Sequence, residues 1–325
     1  MPSRHSMTGA QALESTAAVR PIAETIGQFV ALTKPRVMSL AVFTAFVGLW
    51  IAPRHLDPAA TFGALVCIAL GAGAAGALNM WYDADIDALM TRTSSRPLPR
   101  GQRTRGEALV LGLTLAALAI GGCAMAVNIV AAVLLAITIA YYAIVYTVWL
   151  KRRIPQSIVI GGAAGALPPV IGWAATGSAL SLEPWLLFLI IFLWTPAHFW
   201  ALALERAGDY ARAGVPALPV VAGRDETKRQ ILRYSALLVW SSALPWTFGY
   251  AGRGYALAAA VLGTAFVVLA LRVRRRKTGG GTAARLFAFS IFYLFLLFGA
   301  LLVDSEVHGE RAAVSVFETS VALTP

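Results

Sequence analysis

Asn79, Asp83 and Asp87 recur every four residues in "NMWYDADIDALMTRTSSRPLPRG", Asn79 to Gly101, directly after a run apolar enough to cross a membrane. On a helix this spacing places the three side chains on one face, with about 6 Å of rise between neighbours, and turns Asp85 roughly the opposite way. A row of hard oxygen donors suits Mg²⁺, which takes a few carboxylates and completes its octahedron with water and phosphate oxygens. Carboxylates alone would repel a phosphate, so a metal is the sensible bridge. Arg92, Arg96, Arg100, Arg103 and Arg105 follow, and the first two or three are close enough to fold back over an anion with bidentate contacts. Metal and arginines together make a diphosphate site. An EF-hand loop begins with the same alternate aspartates but requires Gly sixth and Glu twelfth, where this chain has Ala88 and Ser94. Plain helix-end acids would oppose the helix dipole on the side of the membrane where basic residues belong.

A second stretch, "TPAHFWALALERAGDYARAGVPALPVVAG" from Thr195 to Gly223, supplies Asp209 as a candidate to hold a second Mg²⁺ opposite the first row. Glu205 is accounted for by pairing with Arg206 or Arg212. His198 lies about two turns inside an apolar run, where an ionisable group faces a partner or a cavity. It reads equally as a buried histidine satisfied by a hydroxyl or carbonyl and as a proton acceptor or contact to a second substrate. Trp81, Tyr82, Phe199 and Trp200 are candidates to line a cavity near these groups.

The elements that position these residues follow from composition. The 325 residues are 58% hydrophobic and 13% charged, with mean hydropathy +0.70, against about 25% charged in soluble domains. An integral membrane protein is implied. Nine apolar runs of spanning length lie near 36–52, 61–82, 107–126, 129–150, 157–177, 184–204, 231–250, 254–271 and 285–303. With nine spans and the N-terminus inside, all but Arg54, Arg253 and Arg311 of the 27 Lys and Arg fall on the cytoplasmic side or in the first turn of a span entering from it. The net charge of +11 is therefore a topology signature and calls for no nucleic acid. "RVRRRKTGGG" at 272–281 reads as a headgroup anchor. Cys67 and Cys123 sit in apolar runs without metal or disulfide spacing. We expect an all-α polytopic fold, nine transmembrane helices around a central cavity open to the cytoplasm. A cytoplasmic tail over 1–28 precedes a domain over 29–303, and an extracytoplasmic, unstructured tail covers 304–325. The two acid-bearing connections follow the second and sixth spans, four helices apart, which suggests two helical units whose cytoplasmic ends face one another across the cavity.

These motifs resemble the UbiA-type intramembrane prenyltransferase superfamily, with nine helices and an Asp-rich motif after the second and sixth. "LTKPRV" at 32–37, "RPLP" at 96–99, "KRR" before "IVIGGAAGALPPVIGW", and "AHFWALAL" followed by "DYARAGVPALPVV" resemble its haem-modifying branch more narrowly, from about residue 30 to 230. That resemblance implies transfer of a farnesyl group from farnesyl diphosphate to a vinyl carbon of haem b. By carry-over, Asn79, Asp83, Asp87 and Asp209 would hold Mg²⁺ and diphosphate. Lys34, Arg36, Arg92, Arg96, Lys151 and Arg152 would surround the anion, and Asp83, Asp87 and His198 would serve catalysis. The second motif departs from the DxxxD common in the superfamily, with Ala213 in its last place, and Ser157 stands where the family often has Asn. A short N-terminal tail without a transit signature favours a bacterial cytoplasmic (inner) membrane. Besides membrane lipid, a haem A synthase or an oxidase assembly factor is the protein partner such an activity implies. Two rival readings are another UbiA-type prenyltransferase, acting on an aromatic acid or another tetrapyrrole, and a transporter of anionic lipid or divalent cation, for which the Gly/Pro-rich fifth span would suit a broken helix.

Overall fold

The computed structural model describes residues 21–275 and 281–322, with side chains up to Val307 at the C-terminal end. The chain forms α1 (Ile22–Leu32), α2 (Pro35–Trp50), α3 (Pro58–Leu89), α4 (Arg105–Ala126) and α5 (Ile129–Ala140), which runs into a π-helix, Tyr141–Leu150. Then come α6 (Ser157–Ala166), α7 (Pro168–Ala175), α8 (Leu182–Glu205), α9 (Ala207–Arg212), α10 (Leu218–Val221), α11 (Gly223–Thr247), α12 (Arg253–Arg275) and α13 (Thr282–Ala322). There is no strand among the described residues.

Local chemistry explains the helix starts. Pro58 opens α3 where its missing N–H costs nothing, and Asp57 accepts from the N–H groups of Ala59 and Ala60. Thr104 and Glu107 form a reciprocal capping box at α4, and Asn128 caps α5. Among the described residues, seven helical segments are long and apolar enough to cross a bilayer, or eight if α1 and α2, bent by 58°, make one crossing. The remaining apolar run, 231–250, lies largely in α11. That helix falls short in composition because Arg224, Asp225, Glu226, Lys228, Arg229 and Arg233 fill its first turns and serines dilute the rest. Ser235, Ser241 and Ser242 are buried there, their hydroxyls donated back to helix carbonyls.

Two expectations need correction. Residues 22–28, taken as tail, are helical in α1, with Gln28 buried; residues 1–20 lie outside the described residues. The stretch after Asp304 continues α13 to Ala322 rather than being unstructured, since "SEVHGERAAVSVFETSVA" holds no proline and mostly tolerable helix formers. The basic segment at 272–281, expected as a headgroup anchor, forms the last turn of α12 up to Arg275, and residues 276–280 lie outside the described residues.

Two apolar cores fill the bundle. One joins α3, α4, α5 and α7, and the other α8, α11, α12 and α13. At the seam α2 meets α7 backbone to backbone: a Cβ on Gly48 would lie 2.1 Å from the carbonyl oxygen of Pro169, and one on Gly172 2.0 Å from that of Ala45. A third, smaller cluster ties Ile86 and Met90 at the end of α3 to Ala203, Tyr210, Ala213, Val215 and Ala217. It thereby brings the two acid-bearing connections together.

Candidate active site

α3 runs to Leu89, so the acid row stays helical throughout. Asn79, Asp83 and Asp87 are buried on one face, whereas the Asp85 side chain is 52% exposed. The one-face geometry expected from the spacing is therefore present. Asn79 Nδ2 donates to Asp83 Oδ2 and to Thr147 Oγ1, each at 2.9 Å. Thr147 reaches this position because the π-helix widens the last turns before Lys151, and its hydroxyl in turn donates to the Tyr142 carbonyl five residues back at 2.8 Å.

Cations close over the row. Lys34 Nζ donates to Asn79 Oδ1, Lys151 Nζ to Asp83 Oδ2, and Arg96 Nη1 to Asp87 Oδ2 at 2.5 Å. Lys34 has φ 56° and ψ 57°, the one non-glycine residue with positive φ among the described residues. Left-handed backbone costs a side-chain-bearing residue about 1–2 kcal/mol, and such strain concentrates at functional positions. The bend that presents Lys34 rests on Gly76, where a Cβ would come within 2.8 Å of the Thr33 carbonyl oxygen.

The other predicted cations divide. Arg152 grips Asp85 with two hydrogen bonds of 2.7 Å, donates to the Tyr82 carbonyl at 2.9 Å, and stacks over the Tyr82 ring at 4.6 Å. The Asp85 carboxylate it holds raises its pKa further. Asp83 Oδ1 is 3.6 Å from the same guanidinium. Arg36 and Arg92 are exposed and form no ion pair among the described residues; Arg92 lies against the Tyr210 hydroxyl. Arg103 and Arg105 serve the scaffold: the first pairs with Glu107 over the Phe29 ring, and the second donates to the carbonyls of Trp81 and Tyr82.

Asp209 accepts from Thr91 Oγ1 at 3.0 Å and from Arg212, which also donates to Thr91. Burial opposes its ionisation, but the Thr91 hydroxyl, the backbone of Thr91 and Arg92 and the Arg212 charge together hold its carboxyl below the usual range. Arg212 thus goes to Asp209 rather than to Glu205, which is exposed and has no ion pair among the described residues. Asp83 Oδ1 and Asp209 Oδ2 are buried oxygens with no hydrogen-bond partner. Among the described residues no three His, Cys, Asp or Glu side chains converge as a metal cage.

An apolar chamber of about 130 Å³ opens beside the row. Lys34 and Tyr142 stand in its wall, and Gly71, Ala72, Ala75 and Ile139 line it. A second cavity of about 20 Å³ lies between Tyr146, Lys151, Phe199, Trp200 and Tyr210. Of the aromatics expected around a cavity, Phe199 and Trp200 are thus in place. Tyr82 instead supports Arg152, and Trp81 packs with the Leu32 cluster. Tyr142 and Tyr146, whose rings are 5.2 Å apart, take the position between the cavities. Thr91, Thr147, Tyr142, Tyr146 and Tyr210 carried no sequence signal of their own beyond lying near the motifs.

His198 stands apart from the acids. Its ring is stacked between Trp194 at 4.2 Å and Phe287 at 4.6 Å, and Nδ1 meets Ser290 Oγ at 2.5 Å. The hydroxyl partner agrees with the satisfied-histidine reading, and every described contact runs along α8 or to α13.

The profile of the UbiA prenyltransferase family matches residues 41–301. The chain is similar to the protoheme IX farnesyltransferase of Afipia carboxidovorans, 56% identical over 292 residues that make up 89% of this chain and 93% of that protein. Among solved structures it resembles a digeranylgeranylglyceryl phosphate synthase, with TM-score 0.71 and 19% identity over 87% of this chain and 99% of that one. It also resembles a UbiA homologue from Archaeoglobus fulgidus bound to DMAPP and Mg²⁺, with TM-score 0.60 and 19% identity over 84% and 99%.

Proposed function

The chain belongs to the UbiA prenyltransferase family, and on that premise we propose that it transfers the farnesyl group of farnesyl diphosphate to a vinyl carbon of haem b, forming haem O and releasing diphosphate. The observation that carries this reading is the buried Asn79–Asp83–Asp87 row, ringed by cations, one of which, Lys34, both donates to Asn79 and stands in the wall of an apolar chamber. The 56% identity to a protoheme IX farnesyltransferase supports the choice of substrates.

Mg²⁺ fits the donors. Asp83 Oδ1 and Asp209 Oδ2 are hard oxygens without hydrogen-bond partners, and Mg²⁺ is held by one or two carboxylates plus substrate phosphates rather than by a protein cage. Asn79, Asp83, Asp87 and Asp209 would hold it, and when bound it neutralises charge on the departing diphosphate. Arg36 and Arg92 are available to the anion as they stand. Lys34, Arg96, Lys151 and Arg152 exchange their present partners for phosphate oxygens. Cations fixed where charge develops lower the barrier to ionisation.

The apolar chamber takes the prenyl chain and keeps water from the allylic cation. Tyr142 and Tyr146 offer their ring faces to that cation. The haem vinyl group attacks it, and water adds to the resulting haem-side cation with loss of a proton. Asp83 and Asp87 act on the diphosphate side, His198 on the acceptor side.

The protein is a multi-pass membrane protein. In our reading the bent α1–α2 pair and α11 complete nine crossings over a domain that begins with α1 and ends in α13, with the N-terminus and the acid site on the cytoplasmic face of a bacterial inner membrane. A haem A synthase or oxidase assembly factor is the partner that would receive the product. The test is mass spectrometry after incubating purified protein with haem b, farnesyl diphosphate and Mg²⁺. The expected product gains one farnesyl group plus one hydroxyl; unchanged haem b with an intact, folded protein overturns the reading.

A further inference from the structure

Ser290 fixes the proton on His198. Its hydroxyl carries one hydrogen, and the Phe287 carbonyl, 2.6 Å away and unable to donate, takes it. Toward His198 the same oxygen can only accept, so the ring nitrogen facing it at 2.5 Å must bear the hydrogen. The other assignment would press the Ser290 oxygen's lone pairs against the carbonyl. Neutral His198 is therefore the Nδ1–H tautomer, and its Nε2 lone pair points away. Nε2 has no partner among the described residues and is not among the sealed polar atoms. The ring is also held in plane, between Trp194 at 17° and Phe287 at 28°. A ring oriented by stacking, with one nitrogen donating to a fixed oxygen and the other bare, is the arrangement that metal-ligating histidines adopt.

We propose that His198 Nε2 binds the iron of the haem acceptor, making α8 and α13 the acceptor side of the site. This rests on the proposed haem substrate. His198 is then a positioning ligand. It lies seven residues, about 10 Å of helix, from the end of α8, beyond which α9 carries Asp209. Phe199 and Trp200, the next two residues of α8, line the small cavity between the connections.

The experiment titrates detergent-purified full-length protein with ferric haem b, read by absorption and electron paramagnetic resonance, with product formation measured in parallel. The unaltered protein should give a histidine-ligated spectrum. His198→Gly should lose it, and added imidazole, entering the slot between Trp194 and Phe287, should restore it. Ser290→Ala removes only the acceptor that fixes the tautomer, and haem affinity should fall about 10–100-fold, the usual effect of losing such a partner. Binding of labelled farnesyl diphosphate should be unchanged in both variants, which also reports folding. A His198→Gly spectrum identical to the unaltered protein's overturns the proposal while leaving haem farnesylation standing. Failure of the unaltered protein to bind or modify haem b overturns the functional reading itself.

Discussion

Asp83 and Asp85 are two residues apart, and the structure gives them opposite fates on neutralisation. The Asp83 side chain is fully buried, receives Asn79 and Lys151, and keeps one oxygen without a hydrogen-bond partner. Asp83→Asn keeps the shape and removes the charge, and losing a preorganised electrostatic contact costs about 10²–10³ in turnover, or about 2.7–4 kcal/mol. The Asp85 side chain is 52% exposed and holds only Arg152. An exposed pair contributes at most about 1 kcal/mol, so Asp85→Asn should change turnover by no more than about fivefold. Freed from Asp85, Arg152 still lies 3.6 Å from Asp83. The assay is kcat for farnesylated haem at saturating farnesyl diphosphate and Mg²⁺, using protein matched for thermal midpoint. If folded Asp85→Asn loses activity as severely as Asp83→Asn, the one-face argument fails and Asp85 belongs to the metal site.

Ala75→Phe should fill the apolar chamber, so product analysis with shorter allylic diphosphates should show geranyl transfer surviving better than farnesyl transfer. Thr91→Val removes the hydroxyl that joins the two connections through Asp209, and one hydrogen bond, about 1 kcal/mol, predicts a roughly fivefold rise in KM for farnesyl diphosphate with near-normal expression. Gly172→Ala forces a methyl to within 2.0 Å of the Ala45 carbonyl oxygen. A loss of about 1–3 kcal/mol should lower the thermal midpoint, whereas Gly27→Ala, with open space around it, should leave it unchanged or raise it.

The acid row was legible in the sequence because helical periodicity is local: a spacing of four puts Asn79, Asp83 and Asp87 on one face whatever surrounds them. The apolar runs and the distribution of Lys and Arg were equally legible, since bilayer thickness and membrane charge asymmetry act on short segments. Partner choice was not. Among arginines alike in sequence, Arg96 reaches Asp87 while Arg103 and Arg105 brace the scaffold, because each outcome depends on which helix lies opposite. Thr147 joins the site only through a π-helix, and Lys34 only through a left-handed bend seated on Gly76. No local pattern of apolar and polar residues encodes either geometry. His198 shows the division most sharply. Its position inside a span marked it as a group needing a partner, but Ser290, 92 residues away, decides which nitrogen carries the proton, and only the packing of α13 against α8 brings that hydroxyl to the ring.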